Sequence, residues 1–490
     1  MAADDATDEP DHGSGHGTHT EVPADGTASH ATTWIAVGSA LNGLGALLFQ
    51  VAGTRTLGAV GYAPIGVLWT LQYLWVAVAV TALEAYVTRL VTIGGPGNAT
   101  LVRFLRLLTR WLVATALVTA VIGVALAGPL FEELRELGVV LGLLVLGYGW
   151  YGVVRGRAAG VERFRTYGAA TISESLIRLA AALVVLTWVA TTTSLAWVMP
   201  IGPLAVGVWA WARRDAIAAR TGPPAPGAPG TSPPAAPRDT LPAPAPGDAT
   251  PADAPGDTAP ADGARDTTPV EAPGDTAPAD ATQPATGVAR RFLAAASTAN
   301  AVVQFLLAGG PIVLLPLGAA PADVSVFFTT ITAARVPMTF ALNGGLSRLL
   351  PPLTRLAQAG DAAGLRRASA RAITAILGLA VVAAATAAAV GPEVMVLVFG
   401  AEFRPDRTFV TVVAVSTVLA VGGLLLDQVY IAMGRETSLP RVWLVALALA
   451  GVLVVLLPGT PTMRVAVAFA LATAIAVTAL SIPLLRRQPR

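Results

Sequence analysis

Long apolar runs separated by short polar ones fill most of the chain, and two polar stretches, 1 to 31 and 218 to 289, stand apart from this rhythm. The apolar runs lie near 33 to 54, 63 to 88, 107 to 130, 137 to 155, 167 to 190 and 194 to 212, and then near 292 to 317, 323 to 350, 370 to 391, 408 to 432, 439 to 458 and 463 to 485. Each approaches the roughly 20 residues that carry a helix across about 30 Å of hydrocarbon. The pattern predicts an all-α polytopic membrane protein of about 12 transmembrane helices. These form two six-helix bundles, 32 to 217 and 290 to 490, joined by the second polar stretch.

Composition agrees, because 54% of the 490 residues are hydrophobic and the mean hydropathy is +0.65 despite a polar tail and a polar insert. Arginine placement tests the count independently, since cytoplasmic loops carry the positive excess. With the N-terminus inside, 25 of the 32 arginines fall on the cytoplasmic side and five outside, while Arg178 and Arg335 lie within helices and the chain has no lysine. Twelve crossings with both ends in the cytoplasm follow. Arginines spread as topology signals form no basic patch, so the net charge of +2 implies no nucleic-acid partner. The absence of cysteine removes disulfides, thiolate chemistry and Cys-ligated metals. The first thirty residues are acidic and polar, unlike a signal peptide, and the first helix is expected to act as an uncleaved anchor.

Residues 1 to 31 hold all four histidines, His12, His16, His19 and His30, among Asp, Glu, Gly and Thr. A solvated tail with incidental histidines explains them better than a metal site. Residues 221 to 288 are a Pro, Ala, Gly, Thr and Asp insert with a nine-residue repeat, APGDATPAD at 245 and APGDTAPAD at 254 and 272. Such a sequence buries too little apolar surface to offset its chain entropy, which predicts an extended, acidic cytoplasmic linker.

The two halves resemble each other faintly. Leu57-Gly58-Ala59 matches Leu317-Gly318-Ala319 at an offset of 260, and the same offset pairs Arg106 with Arg366. Gly128-Pro129 and Gly391-Pro392 close the third helices at nearly that offset. Repeated halves are common in secondary transporters, with the substrate site at their interface near the bilayer midplane.

Arg335 sits near the middle of the apolar stretch Asp323 to Leu350, with Pro337 two residues on. A guanidinium at bilayer depth costs roughly 2.5 to 3.5 kcal/mol on insertion scales, so it usually faces a cavity and meets something anionic. An anion transporter is the expectation. Glu174 and Arg178, four apart on one helix, can neutralise one another and read as structural. Pro311, Pro316 and Pro337 interrupt the seventh and eighth helices, and such breaks permit rocking.

The stretch LLFQVAGTRTLGAVGYAPIGVLWTLQYL (47 to 74) resembles the first helix, loop and second helix of polysaccharide flippases in the multidrug/oligosaccharidyl-lipid/polysaccharide (MOP) exporter superfamily. So do RGRAAGVERFRTYG (155 to 168), the Glu174 and Arg178 pair, and GPEVMVLVFGAEF (391 to 403). The resemblance covers nearly everything outside the tail and linker and implies a MATE-like, flippase fold. It also implies movement of a polyprenyl-diphosphate-linked saccharide from the inner to the outer leaflet of a bacterial plasma membrane. In such flippases the first, second, seventh and eighth helices line a central cavity. Mapped onto this chain, the substrate-binding candidates are Asn42, Gln50, Arg55, Gln72, Asn300, Gln304, Arg335 and Asn343. A diphosphate must replace its water with charge-assisted hydrogen bonds, which arginine's planar fork supplies.

Each candidate has a plainer alternative. Arg335 pairs with an acid, or snorkels, in place of meeting substrate. Arg55, near the outer end of its helix, anchors at the interface, and the amides act as interhelical glue worth about 0.6 kcal/mol each. Glu84, near Arg89, is a gate, a local ion pair or a coupling site, and Asp427 is a proton or sodium relay or a solvated acid near Arg435.

No catalytic constellation is present: the histidines lie in the tail and no Gly-rich phosphate loop with a following lysine occurs. Neither enzyme nor ATPase is expected, and no cofactor. The driving force then comes from an ion gradient, product consumption outside, or the membrane potential, which contributes about 2.3 kcal/mol per charge per 100 mV. Three functions stay open: the oligosaccharide-lipid flippase, a cation-coupled multidrug exporter of the same superfamily, and a non-transporting membrane scaffold that recruits envelope-synthesis proteins through its linker. The exporter calls for acids in the central cavity.

Overall fold

The structure, a computed structural model, describes residues 25–212 and 297–486, without the side chains of 25–33, 35, 36, 211, 337–351 and 354. The linker, His12, His16, His19 and the Asn343 and His30 side chains therefore lie outside the described residues. In the first half the elements are α1 (Asp25–Trp75), a π-helical turn (Val76–Val80), α2 (Thr81–Gly94), α3 (Ala99–Ala125), α4 (Ala127–Phe131), α5 (Glu136–Gly160), α6 (Phe164–Trp188), α7 (Thr192–Val198) and α8 (Ile201–Ala212). In the second they are α9 (Ser297–Ala308), α10 (Gly310–Leu314), α11 (Pro321–Gln358), α12 (Ala362–Phe399), α13 (Arg407–Ala432), α14 (Leu439–Leu456) and α15 (Pro461–Leu485). No strand occurs among the described residues.

Side-chain caps start the helices where the sequence supplies a short polar residue. Asn98 accepts from the Leu101 amide at 2.6 Å, Asp361 from that of Gly364 at 2.7 Å, and Asp406 from those of Thr408 and Phe409 at 2.7 and 3.2 Å. Thr191 and Ser194 form a reciprocal capping box at the start of α7. Each cap satisfies amides that the first helical turn leaves without acceptors.

Among the described residues, nine helices are long and apolar enough to cross a membrane, or ten with the bent pair Ser297–Ala308 and Gly310–Leu317 taken as one span. One of the nine, Val37–Gly94, has 58 residues. At about 1.5 Å per residue it is far longer than one crossing needs, and a break within it separates two. Together with α11, which covers the run expected at 323 to 350, this is consistent with twelve. The protein is a multi-pass membrane protein. Its outside is apolar, with Trp188 84% and Leu397 73% exposed, as a lipid-facing surface requires.

The two halves share an arrangement as well as a count. The third span of each, α3 and α12, is only 17% buried, whereas the fourth, α5 and α13, is 72% and 61% buried. α5 packs against α2 and α3, and α13 against α12 and α15. The peripheral helices face outward in both bundles, and the glycine-rich α5 lets its neighbours approach closely.

Several boundaries differ from the sequence expectation. α1 begins at Asp25, ahead of the expected start at 32, and no loop follows residue 54: the helix passes through a break at Gly58 (φ 70°, ψ 179°) into the next span. The sixth span is divided between α7 and α8 around Met199 and Pro200. The seventh is bent by 64° at Gly309, with Pro311 opening the following turn, while α11 stays helical through Pro337. The repeated Leu-Gly-Ala tripeptides hold glycines of positive φ, Gly58 at 70° and Gly318 at 69°. A Cβ at Gly58 would lie 2.7 Å from a carboxylate oxygen of Glu402, whereas one at Gly318 would meet open space.

Gly58→Ala should therefore lower stability by about 2 kcal/mol, since its backbone region is nearly glycine-only. Gly318→Ala, in an uncrowded left-handed position, should cost about 1 kcal/mol. Thermal unfolding in detergent followed by tryptophan fluorescence checks this order, and equal shifts would contradict it.

Candidate functional site

A cavity of about 140 Å³ lies on the seam between the halves. α1 contributes Gly43, Leu47, Gln50, Trp69, Thr70 and Tyr73, and the second half contributes Ala308, Pro311, Phe328, Ile331, Thr332 and Arg335. Small residues and bends make the space: Gly43 leaves a gap along α1, and the break before Pro311 turns the seventh span aside. Arg335 is the charged side chain among the described lining residues, set in a wall of aromatic rings.

Arg335 carries its guanidinium 3.9 Å from the centre of the Tyr73 ring, a cation–π contact across the seam. The Tyr73 hydroxyl donates to Gln304 Oε1 at 2.5 Å, and Gln304 Nε2 donates to Asn300 Oδ1 at 3.4 Å. Asn300 Nδ2 in turn donates to the Ala77 carbonyl at 3.1 Å. That carbonyl lies in the π-helical turn, where the register shift changes which carbonyls the helix itself uses. A polar ladder thus runs from Arg335 through Tyr73, Gln304 and Asn300 to the backbone of the opposite half.

Gln50 also lines the cavity, 2% exposed, with its Oε1 lacking a hydrogen-bond partner. A buried polar atom without a partner is costly unless something else meets it. Gln50 and Arg335 are therefore convergent polar groups in an otherwise largely apolar space, the usual make-up of a small-molecule site.

The remaining candidates lie elsewhere. Asn42 Oδ1 and Gln72 Oε1 are buried on α1 without partners, but neither residue lines the cavity. Arg55 does not reach it either. Its Nε donates to the Val398 carbonyl at 2.9 Å and its Nη2 to that of Leu397, capping the C-terminal turn of α12. The C-terminal turn of a helix leaves carbonyls without N–H donors, which draws a guanidinium there. Beside this contact, Glu402 Oε2 accepts from the Ala59 amide at 2.7 Å, at the break in α1. Arg55 and Glu402 reach across in opposite directions and clasp the halves at that end.

Glu84 is ion-paired with Arg155, not with nearby Arg89, at 3.3 Å. Arg155 also stacks over Tyr167, 4.4 Å from its ring centre, and hydrogen-bonds its hydroxyl. Asp427, 5% exposed within the second half, accepts from Trp443 Nε1 at 3.1 and 3.2 Å. Glu174 and Arg178 meet at 2.7 Å, and Tyr148 joins them by donating to Glu174 at 2.8 Å. Arg178 lies 4.8 Å from the Trp69 ring centre, behind the cavity wall. No group of acids and histidines able to hold a metal occurs among the described residues.

No protein family matches the sequence, and no curated protein does. Solved structures do. An inward-facing multidrug resistance MATE family transporter of the MOP superfamily aligns with TM-score 0.58 at 12% identity, over 90% of this chain and 94% of that one. The fold is that of the MATE transporters. The MATE multidrug transporter DinF-BH aligns with TM-score 0.53 over 94% and 95% of the two chains, also at 12% identity. A variant of the Vibrio cholerae MATE transporter VcmN aligns with TM-score 0.50 over 94% and 97%, again at 12%.

Sequence reading overlooked Tyr73, Trp69, Phe328 and Glu402. Tyr73 had a faint signal, an aromatic residue one turn beyond Trp69 with a hydroxyl needing a partner. Removing that hydroxyl by Tyr73→Phe should cost about 1 kcal/mol of stability. Tyr73→Ala should cost at least another 1 kcal/mol or so by losing the ring under Arg335. Matched thermal unfolding of both variants measures this, and a Tyr73→Ala protein as stable as Tyr73→Phe would remove the cation–π contact from the account.

Proposed function

We propose that the chain is an alternating-access exporter of the MOP superfamily that moves amphipathic small molecules, a reading supported by structural neighbours that are named multidrug transporters. The observation that carries the reading is the cavity on the seam, with Arg335 and Gln50 among aromatic rings. At about 140 Å³ it is smaller than the roughly 300 Å³ or more that drug-sized ligands occupy, so the seam must part to admit cargo. The Arg55 and Glu402 clasp holds one end together, so in this state cargo enters from the other. The arginine-rich loops at that other end support a cytoplasmic assignment for it, with both termini inside, and the proposed setting is a bacterial plasma membrane.

Arg335 favours an anionic head group, and the rings favour an apolar body. Asp427 is the preferred site of proton or sodium coupling, because Glu84 is already neutralised by Arg155. Arg335 also favours a second reading, the flipping of polyprenyl-diphosphate-linked saccharides, in which the diphosphate would meet the guanidinium while the lipid tail stays in the bilayer.

Purified protein in vesicles bearing a pH gradient tests both. An anionic amphiphilic dye should be moved by the parent and about tenfold more slowly by Arg335→Gln, the loss expected for one charged hydrogen bond. A cationic dye should be affected far less, and Asp427→Asn should remove the dependence on the gradient. Movement of a polyprenyl diphosphate saccharide alone would transfer the function to the second reading. A parent that moves none of the three would leave a non-transporting scaffold for cell-envelope synthesis.

A further inference from the structure

A second and larger cavity, about 680 Å³, opens within the second half, away from the seam. It lies where the start of α12 and the ends of α13 and α15 come together, with Arg366 on α12, Arg435 in the turn after α13 and Arg486 just after α15. None of the three is ion-paired among the described residues. Asp361 also lines the cavity, but its Oδ1 accepts from the Gly364 amide as the α12 cap. Tyr430 is likewise committed, its hydroxyl donating to the Leu480 carbonyl at 3.0 Å.

Ser369 is not committed. It lies one turn beyond Arg366, lines the same cavity and is 1% exposed, and its Oγ has no hydrogen-bond partner. A buried hydroxyl without a partner, on a residue that lines the same cavity as three arginines, suits an acceptor-rich anion. Beside it the last turn of α15 leaves Ile482 44% and Leu485 43% exposed, an apolar surface on which acyl chains can lie. Basic pockets between membrane helices on the cytoplasmic side characteristically take phosphate head groups, and this end carries the arginine excess.

We infer that this cavity binds a phosphate group, carried by an anionic phospholipid of the cytoplasmic leaflet, through Arg366, Arg435, Arg486 and Ser369. The site is distinct from the seam and has no part in the transport reading. Its ligand is held by charge from three separate elements, and its occupancy ties the ends of α12, α13 and α15 together.

Full-length protein in nanodiscs of phosphatidylcholine with or without phosphatidylglycerol, released and weighed by native mass spectrometry, tests the site. The parent should retain phosphatidylglycerol in preference to phosphatidylcholine. Retention should fall about fivefold for each arginine changed to glutamine, and the triple lysine variant should recover most of it. Ser369→Ala should weaken retention while the melting temperature, measured for every variant, stays close to the parent's. In lipid-free detergent, inorganic phosphate binding lost in the triple glutamine variant would make the ligand a free anion held by the same chemistry. Lipid retention without phosphate binding would make it the head group. Equal retention of the two lipids by the parent together with no phosphate binding overturns the inference, as does equal phosphatidylglycerol retention by the parent and the triple glutamine variant. Retention seen solely after deletion of residues 221–288 overturns it too, assigning the basic cavity to the chain's own acidic linker.

Discussion

The break in α1 at Gly58 governs how the two halves meet. A helix that ran on without interruption would direct the Ala59 amide at a carbonyl of its own preceding turn; at φ 70° and ψ 179° that geometry is lost and the amide is taken by Glu402 instead. The same break ends the first limb of α1 just beyond Arg55, which lets the guanidinium reach the carbonyls that close α12. Arg55 and Glu402 are themselves exposed, although Ala59 is buried, so each contact is worth about 1 to 2 kcal/mol. A clasp of that strength fits the proposed alternating access, since it biases an equilibrium without locking it.

From that end the seam runs inward through Tyr62 and Phe328, whose ring centres lie 6.2 Å apart, to the pair formed by Arg335 and Tyr73. There the character changes from apolar packing to polar contacts that need partners. Tyr73 engages two helices of the second half at once, offering its ring face to Arg335 on α11 and its hydroxyl to Gln304 on α9. Under the proposed transport function, cargo that met Arg335 would compete with the ring for the guanidinium and so bear directly on the contact joining the halves. That proposal links binding and opening through one side chain.

Much of this was legible in the sequence. Hydropathy alone gives an all-helical membrane chain in two matching halves, and the cost of burying a guanidinium picks Arg335 as the residue to watch. The i, i+4 spacing of Glu174 and Arg178 gives their ion pair. The Leu-Gly-Ala repeat marks two positive-φ glycines, although nothing in the tripeptide says that one continues a helix and the other closes a 3₁₀ turn. What was hidden depends on distant pairings. Glu402 and Ala59 are 343 positions apart, and Tyr73 and Gln304 are 231 apart, so no local pattern joins them. Arg55 looked like a cavity residue because its helix lines the cavity, but its position on that helix takes it to the far end.

The most direct test exploits the absence of cysteine, which allows a single labelled pair without background. Cysteines at Val60 and Leu397, exposed on opposite halves beside the clasp, can carry spin labels for a distance measurement by pulsed electron paramagnetic resonance. A short, narrow distribution is expected in the otherwise unaltered chain, and a longer or broader one when Arg55→Gln and Glu402→Gln are added. A distribution that stays the same after both changes would contradict that expectation, because the clasp would then have no part in holding that end closed.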